Sequence, residues 1–170
     1  EMAVYLGYDQ AALDEQYNAR AAVPDHPSVI QRWDVAGAAA SARLRADLDL
    51  AYGDGALETL DIYRPDGDGR PAPVLVFLHG GYWQWRDKKD FVFLAAPWVA
   101  AGIVTVLVNY PLAPAATMDE IVDACRRSVA WIAARIGRHG GDRNAIWIAG
   151  HSAGGHLTAA MLATDWRSFG

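Results

Sequence analysis

Two segments in the first half of the chain alternate polar and apolar side chains. They are DLDLAYG, residues 47–53, and ALETLDIYRP, residues 56–65. Alternation with a period of two places every second side chain on one face of a β-strand, so that one face can be buried. The intervening GDG, residues 53–55, is typical of a hairpin turn. The pattern predicts two antiparallel strands.

Three later segments are apolar without alternation, which is typical of strands that are covered on both faces of a sheet. They are VLVFLH at 74–79, GIVTVLVNY at 102–110 and NAIWIAG at 144–150. Helical patterns follow them around 88–101, at 117–137 and at 154–166. This alternation of strands and helices predicts an α/β fold with a mostly parallel sheet and helices on both faces.

The first 45 residues carry helical patterns. The pattern predicts two helices, at residues 11–22 and 26–44. Pro24 separates them because proline interrupts a helix. We therefore predict a helical arm or cap at 1–45 and the N-terminal portion of a single α/β domain at 46–170.

The composition narrows the functional classes. With 52% hydrophobic and 21% charged residues, the chain of 170 residues has the composition of an ordered globular domain. A net charge of −5 offers no basic surface for nucleic acid. The chain shows no apolar run of the roughly 18 residues that a membrane span needs, and no signal peptide. The lone Cys125 lies in an apolar helical pattern and reads as a buried, inert thiol. We predict a cytoplasmic protein that binds neither nucleic acid nor membrane.

A candidate nucleophile follows the last predicted strand. GHSAG, Gly150–Gly154, matches the pattern G-x-S-x-G between a strand and a helix. Glycine two positions either side of the serine permits a sharp turn that exposes the hydroxyl, so Gly150 and Gly154 have structural roles. The N-terminus of the following helix favours developing negative charge at this place. We predict that Ser152 is a nucleophile.

A candidate oxyanion hole follows the first buried strand, at HGGYW, His79–Trp83. Because the carboxyl ends of parallel strands meet at one rim, this motif should lie beside the serine motif. His79 and Gly80 have structural roles, and the paired glycines let the backbone curl. The predicted donors are the N–H groups of Gly81, Tyr82 and Ala153. Each such donor is typically worth about 3 to 4 kcal/mol to the transition state.

HGGYW, NYPLAP and GHSAGGH, in this order and spacing, resemble the α/β-hydrolase fold. They are similar to the hormone-sensitive-lipase-like esterases and, more closely, to the arylformamidases (kynurenine formamidases). The esterases usually carry a third glycine where this chain has Tyr82, whereas HGGYW and the N-terminal EQYNAR resemble the formamidase branch. The resemblance runs from about Tyr17 to the end of the chain.

The resemblance implies hydrolysis of an ester or aryl-formamide through an acyl-enzyme on Ser152, without a metal or organic cofactor. The implied best substrate is N-formylkynurenine, which would give kynurenine and formate. As partners we expect a small-molecule ester or formamide substrate, and a homodimer is left open.

The acid and histidine of a catalytic triad are not evident. The family resemblance implies the order serine, acid, histidine, and eighteen residues follow Ser152. Asp165 lies roughly 20 Å along the helix at about 1.5 Å per residue. His156 lies on the helix that directly follows Ser152, and it precedes Asp165 in the chain. It is predicted to pack beside the site, with an unconventional base as the minority alternative.

The other histidines offer no better base. His139 precedes the last strand and should lie at the opposite rim, some 20 Å away at about 3.3 Å per residue. His79 begins the oxyanion loop, where a structural hydrogen bond is expected. His151 flanks the nucleophile and could line the substrate pocket.

The strand at 144–150 indicates that the fold continues. It is apolar on both faces and should be central, yet no later segment could pair with its second edge, which would be an aggregation template. Single domains of this type also commonly run to about 200 to 250 residues. We predict that these residues are the N-terminal part of the fold and that the triad acid and histidine lie beyond them.

The sequence motifs disfavour a dinucleotide-binding domain and leave two alternatives to a formamidase. A dinucleotide-binding domain needs G-x-G-x-x-G where this chain reads HGGYWQ, and no G-K-[ST] supports a phosphate loop. A general carboxylesterase and a non-catalytic binding protein of the hydrolase fold stay open. The non-catalytic protein predicts no labelling of Ser152 by a fluorophosphonate.

Aromatic residues follow the oxyanion glycines. Tyr82, Trp83 and Trp85 could face an aryl substrate or pack in a core or lid, and both interpretations stay open. Four other tryptophans lie in apolar patterns and are predicted to be core residues: Trp33, Trp98, Trp131 and Trp147.

Overall fold

Among the described residues the central sheet has five strands, in the segments that the alternating and the continuously apolar patterns predict. They are β1 (Arg45–Ala51), β2 (Thr59–Arg64), β3 (Ala72–Leu78), β4 (Val104–Val108) and β5 (Gly141–Gly150). The structure is a computed structural model that describes residues 3–67 and 69–169. The strand order is β1-β2-β4-β3-β5. The predicted hairpin enters the sheet through β2, which pairs antiparallel with β4, while β3 is parallel to both β4 and β5.

In the part of the chain that the structure describes, five α-helices accompany the sheet. They are α1 (Gln10–Tyr17), α2 (His26–Ser41), α3 (Ala95–Ala100), α4 (Met118–Arg135) and α5 (Ala153–Leu162). Short 3-10 helices at Lys88–Leu94 and Ile136–His139 precede α3 and β5. Helix α1 ends earlier than its pattern predicts. Its side chains are not buried, and the Asn18 side chain accepts a hydrogen bond from Ala21 N at 3.1 Å, which favours a turn. The division into an arm and a domain stays a prediction.

Helices cover both faces of the sheet, as predicted. On one face, α4 and α5 pack on the strands through residues such as Ile121, Ile132 and Leu157, all fully buried. On the other face, α2, α3 and the first 3-10 helix pack around Leu107 of β4. Helix α4 begins with a capping box between Thr117 and Glu120, so an acidic first turn lies at the positive end of the helix dipole.

Two of the predicted core tryptophans lie outside the core, and that prediction was wrong for them. Trp147 is 58% exposed because β5 is an edge strand of the described sheet, and Trp98 on the short α3 is 43% exposed. Trp33 stacks on Phe93 with ring centroids 5.0 Å apart, and Trp131 packs partly buried against the larger core.

The thiol of Cys125 is fully buried within α4. Burial raises the pKa of Cys125 to about 12, because an apolar environment disfavours the thiolate. The prediction of a buried thiol is confirmed, and its inertness stays a prediction. Across residues 3–67 and 69–169, none of the helices combines the length and the apolar character that crossing a membrane requires.

Candidate active site

The two predicted motifs meet at one rim of the sheet. Leu78, the last residue of β3, is in register with Gly150, the last residue of β5, and the strands run parallel. The loop after each strand therefore begins at the same height. Backbone contact continues past the sheet, because His151 N donates to Leu78 O at 3.4 Å.

Ser152 sits in a strained turn between β5 and α5. Its φ of 56° and ψ of −118° lie outside the regions that residues with a Cβ ordinarily occupy. The turn is held because the Ser152 carbonyl accepts hydrogen bonds from Gly155 N at 2.9 Å and His156 N at 3.2 Å. The side chain is exposed at the rim. A strained, exposed serine at a helix N-terminus is the conformation that a nucleophile elbow requires.

The glycines of the serine motif are required by close backbone contacts. A Cβ on Gly154 would overlap the carbonyl oxygen of Leu78 and lie 2.7 Å from His79 O. A Cβ on Gly150 would overlap the carbonyl of Gly154. Helix α5 therefore rests directly on the end of β3, which holds Ser152 beside the HGGYW loop.

Gly80 brings that loop against the serine. A Cβ at Gly80 would lie 2.8 Å from His151 O and 3.2 Å from the Cβ of Ser152. The ring of His151 is also close, with its Nδ1 3.1 Å from the same position. The two motifs thus interlock through backbone contacts.

The direction of the Gly81 N–H is set by a histidine. In a trans peptide the carbonyl oxygen and the next N–H point in opposite directions, so fixing one fixes the other. His79 Nδ1 lies 2.8 Å from the Gly80 carbonyl oxygen. That oxygen can only accept, so Nδ1 carries the proton and donates it. The hydrogen bond orients the Gly80–Gly81 peptide.

The direction of the Tyr82 N–H is set by the next carbonyl. Gly81 O accepts hydrogen bonds from Gln84 N at 3.0 Å and Trp85 N at 2.9 Å, which orients the Gly81–Tyr82 peptide. This tight turn needs a φ of 125° at Gly81 and a φ of 54° at Tyr82. The strain is concentrated in the loop that faces Ser152.

The three predicted oxyanion donors are free. Within the described part of the chain, the N–H groups of Gly81, Tyr82 and Ala153 donate to no protein acceptor. Two come from a loop packed on the elbow, and the third is the first N–H of α5. Such preoriented donors can stabilise an oxyanion without reorganising.

His79 and Tyr110 pack together beneath the oxyanion loop. The Tyr110 ring stacks on the His79 ring at 4.3 Å, and its hydroxyl donates to His79 O at 2.6 Å. Both side chains are buried, at 1% exposure each. Burial lowers the pKa of His79 below its usual value, so the ring is neutral at pH 7. The predicted structural hydrogen bond of His79 is therefore present.

Tyr110→Phe should lower kcat about tenfold with little change in KM, because a tilted loop misaligns the donors. The free energy of unfolding should also fall by about 1 to 2 kcal/mol, since His79 O loses its buried donor. Tyr52→Phe is the matched control, because it removes a buried hydrogen bond of 2.7 Å to Asn109 O. Steady-state kinetics and urea denaturation separate the two effects. Equal loss of kcat in both variants would contradict a positioning role for Tyr110.

A buried polar network holds the chain that leaves the oxyanion loop. Asn109, at the end of β4, accepts from Lys88 N at 2.7 Å and donates to Asp87 Oδ2 at 2.9 Å. Lys88 Nζ contacts Asp49 at 2.6 Å and Asp61 at 2.8 Å. No sequence pattern indicated these residues as part of the site. His79 and Ser152 were predicted as site residues because they are polar and follow a buried strand. The same criterion applies to Asn109, which follows β4.

Lys88→Met should lower the free energy of unfolding by about 3 kcal/mol, because the buried carboxylate of Asp61 loses its cation. Burial alone would lower the pKa of Lys88, but hydrogen bonds and charges of Asp49 and Asp61 outweigh it and raise that pKa above 10.5. The stabilisation is therefore complete at neutral pH and is lost as the pH rises through the raised pKa.

The control for Lys88→Met is Arg126→Met. Arg126 pairs with Asp123 at 3.4 Å, and both side chains are substantially exposed. This variant should cost about 0.5 kcal/mol or less in urea denaturation. A similar cost for the two variants would rule out a stabilising role for the buried pair.

The described histidines do not contact the Ser152 hydroxyl. His156 is exposed and lies edge-on to Trp83 with ring centroids 5.4 Å apart. His139 precedes β5 at the opposite rim, with its Nδ1 2.6 Å from Asp47 Oδ2. Asp165 lies beyond the end of α5, where its carboxylate accepts from Arg167 N at 3.1 Å. Neither a triad histidine nor a triad acid is assembled among the described residues.

The aromatic side chains after the oxyanion glycines divide into two groups. Tyr82 and Trp85 are each 48% exposed, and their ring centroids are 5.9 Å apart. Trp83 is partly buried against the main core. In the described ranges, groups of three or more His, Cys, Asp or Glu side chains suited to a metal do not occur.

The chain resembles known hydrolases both in sequence and in fold. Residues 60–168 match the BD-FAE family. A kynurenine formamidase from Salmo salar is 40% identical over 122 residues, which cover 72% of this chain and 40% of that protein. Esterase LipQ from Mycobacterium tuberculosis is 39% identical over 123 residues, covering 69% of this chain and 29% of the esterase. The chain thus spans well under half the length of these curated relatives.

A solved structure shares the architecture. A protein assigned as a thioesterase from Silicibacter superimposes with a TM-score of 0.74 and 32% identity. The match covers 87% of this chain and 54% of that one.

Proposed function

The chain belongs to the BD-FAE family and has the α/β-hydrolase fold, and on this basis we propose that it carries the nucleophile and oxyanion hole of a serine hydrolase. The observation that supports the proposal is the packing of Gly80 against strained Ser152, which brings the loop with the free N–H groups of Gly81 and Tyr82 beside the serine. A scaffold without catalysis has no need of both features.

In the proposed reaction, Ser152 Oγ attacks the carbonyl carbon of an aryl-formamide or ester. A C–O bond forms, the hydroxyl proton passes to a general base, and the carbonyl oxygen becomes an oxyanion held by Gly81, Tyr82 and Ala153. The C–N or C–O bond to the leaving group then breaks, and the protonated base returns its proton to that group. Water hydrolyses the acyl-serine, releasing formate from a formamide or the acid from an ester.

We place the general base outside residues 3–67 and 69–169, the part of the chain that the structure describes. Since the described histidine side chains make no hydrogen bond to the Ser152 hydroxyl, and the chain covers 40% of the formamidase relative, we propose that the acid and histidine implied by the family resemblance lie in the rest of the full-length protein. The cytoplasmic location and the homodimer also stay predictions.

Among substrates we propose aryl-formamides first and carboxylic esters second. The formamidase relative and the esterase relative are almost equally similar to this chain, so identity does not decide between them. Tyr82 favours the formamidase, because it replaces the third glycine of the esterases and places an exposed ring beside the oxyanion donors.

Turnover of two substrates by the full-length protein tests this order. N-formylkynurenine should be hydrolysed with a kcat/KM at least comparable to that for p-nitrophenyl acetate. Negligible formamide hydrolysis beside rapid ester hydrolysis would reject the formamidase assignment and favour a general carboxylesterase. Absence of both activities, with no labelling by a fluorophosphonate, would indicate the non-catalytic binding protein.

A further inference from the structure

An arginine from the N-terminal arm lies over the aromatic part of the oxyanion loop. The Cζ of Arg20 is 5.1 Å from the centroid of the Trp85 ring, a cation–π contact. The Trp85 ring in turn adjoins Tyr82, with centroids 5.9 Å apart. We call Arg20, Tyr82 and Trp85 the arginine platform. All three side chains are exposed.

The arginine platform adjoins the reacting centre. Tyr82 supplies one of the oxyanion donors through its own backbone N–H, and Trp85 N closes the same turn onto Gly81 O at 2.9 Å. Gly80, at the start of this turn, packs against Ser152. The exposed rings of Tyr82 and Trp85 therefore belong to the same loop that packs against Ser152.

The charge of Arg20 is not neutralised. In the described part of the chain, no carboxylate forms an ion pair with Arg20, whereas Arg45, Arg64 and Arg86 each have an aspartate partner. Arg32 and Arg143 also lack an ion pair there, but Arg20 is stacked on a residue of the loop that packs against Ser152. A guanidinium stacked on an aromatic face keeps its edge N–H groups available, and that edge matches a carboxylate with two parallel hydrogen bonds.

We propose that Arg20, stacked on Trp85, binds a carboxylate of the substrate, so that the site prefers aryl-formamides or esters that carry an anionic group. This inference rests on the proposed hydrolase function and deepens it by naming the substrate class. N-formylkynurenine belongs to that class, because it is an amino acid with an aryl-formamide.

The test compares two substrates in the full-length protein: N-formylkynurenine and its decarboxylated analogue. Arg20→Gln should raise KM for the first by about tenfold to a hundredfold, the usual range for a lost charged hydrogen bond. It should leave kcat for both substrates, and KM for the analogue, within about twofold. Arg20→Lys keeps the positive charge but loses the planar guanidinium. Its KM for N-formylkynurenine should therefore lie between the values of the wild type and of Arg20→Gln.

Arg143→Gln is the matched control, because it removes the same charge from an exposed arginine near the amino end of β5, away from Ser152. It should change neither KM. Equal changes in KM for both substrates in Arg20→Gln would overturn the inference, since they would indicate a structural contact between arm and loop. No change with either substrate would overturn it as well.

The inference and the proposed function fail in different ways. If the protein hydrolyses esters but not formamides, p-nitrophenyl hydrogen succinate and p-nitrophenyl butyrate replace the two formamides in the same comparison. A selective rise in KM for the succinate would then support Arg20 although the formamidase assignment had failed. If the wild type hydrolyses none of the four substrates, both proposals fall.

Discussion

Ser152→Ala in the full-length protein should lower kcat/KM for its ester or formamide substrate by about 10⁴-fold or more, as for other serine nucleophiles. In the proposed reaction the Oγ atom forms the covalent bond. Gly80 and His151, which lie beside Ser152, carry neither a hydroxyl nor a thiol. Labelling by a fluorophosphonate should disappear with the activity, and mass spectrometry of the labelled wild type should place the adduct on the peptide that contains Ser152.

The variant should fold normally, which keeps this result interpretable. Alanine retains the Cβ of serine, and the turn at Ser152 is held by backbone hydrogen bonds rather than by the hydroxyl. Ser41→Ala, at the exposed end of α2, controls for the loss of a hydroxyl elsewhere. Residual activity above about 1% of wild type in Ser152→Ala would show that the hydrolysis does not pass through this serine.

The strands, the main helices and the meeting of the two motifs could be predicted because each depends on local periodicity and one general rule. Alternation predicts the hairpin of β1 and β2, and continuous apolar runs predict the buried β3 and β4. Parallel strands place the ends of β3 and β5 at one rim, where Gly80 packs against Ser152. The register of an adjacent parallel pair leaves little freedom at that rim.

Features that depend on long-range packing could not be predicted. An apolar strand looks the same at the centre and at the edge of a sheet, so the exposure of Trp147 was missed. The NYPLAP motif was noted, yet its letters do not reveal that the Tyr110 hydroxyl would meet the carbonyl of His79. The contact between Arg20 and Trp85 joins an arm to a loop across 65 residues of sequence, beyond any local pattern.

Gly81→Ala should lower kcat by about 10² to 10³-fold with a small change in KM, the cost of disturbing an oxyanion donor. A Cβ at this position would overlap the carbonyl oxygen of Trp85 and lie 3.0 Å from Arg86 Cγ. The turn would have to open, which releases Gly81 O from its two donors and rotates the Tyr82 N–H away from the substrate. Steady-state kinetics on the full-length protein measures this loss.

Gly102→Ala is the control for Gly81→Ala. It separates the displacement of the oxyanion donors from the backbone strain that any alanine at a positive φ causes. Gly102 has a φ of 80°, but a Cβ there would have no heavy atom within 4 Å, and it precedes β4 at the rim opposite Ser152. Gly102→Ala should lose about 1 kcal/mol of unfolding free energy because alanine disfavours positive φ, and Gly81→Ala should lose more because its Cβ also overlaps the Trp85 carbonyl. Only Gly81→Ala should lose kcat. If Gly81→Ala is destabilised but keeps kcat within about twofold of wild type, the oxyanion is not bound by this loop.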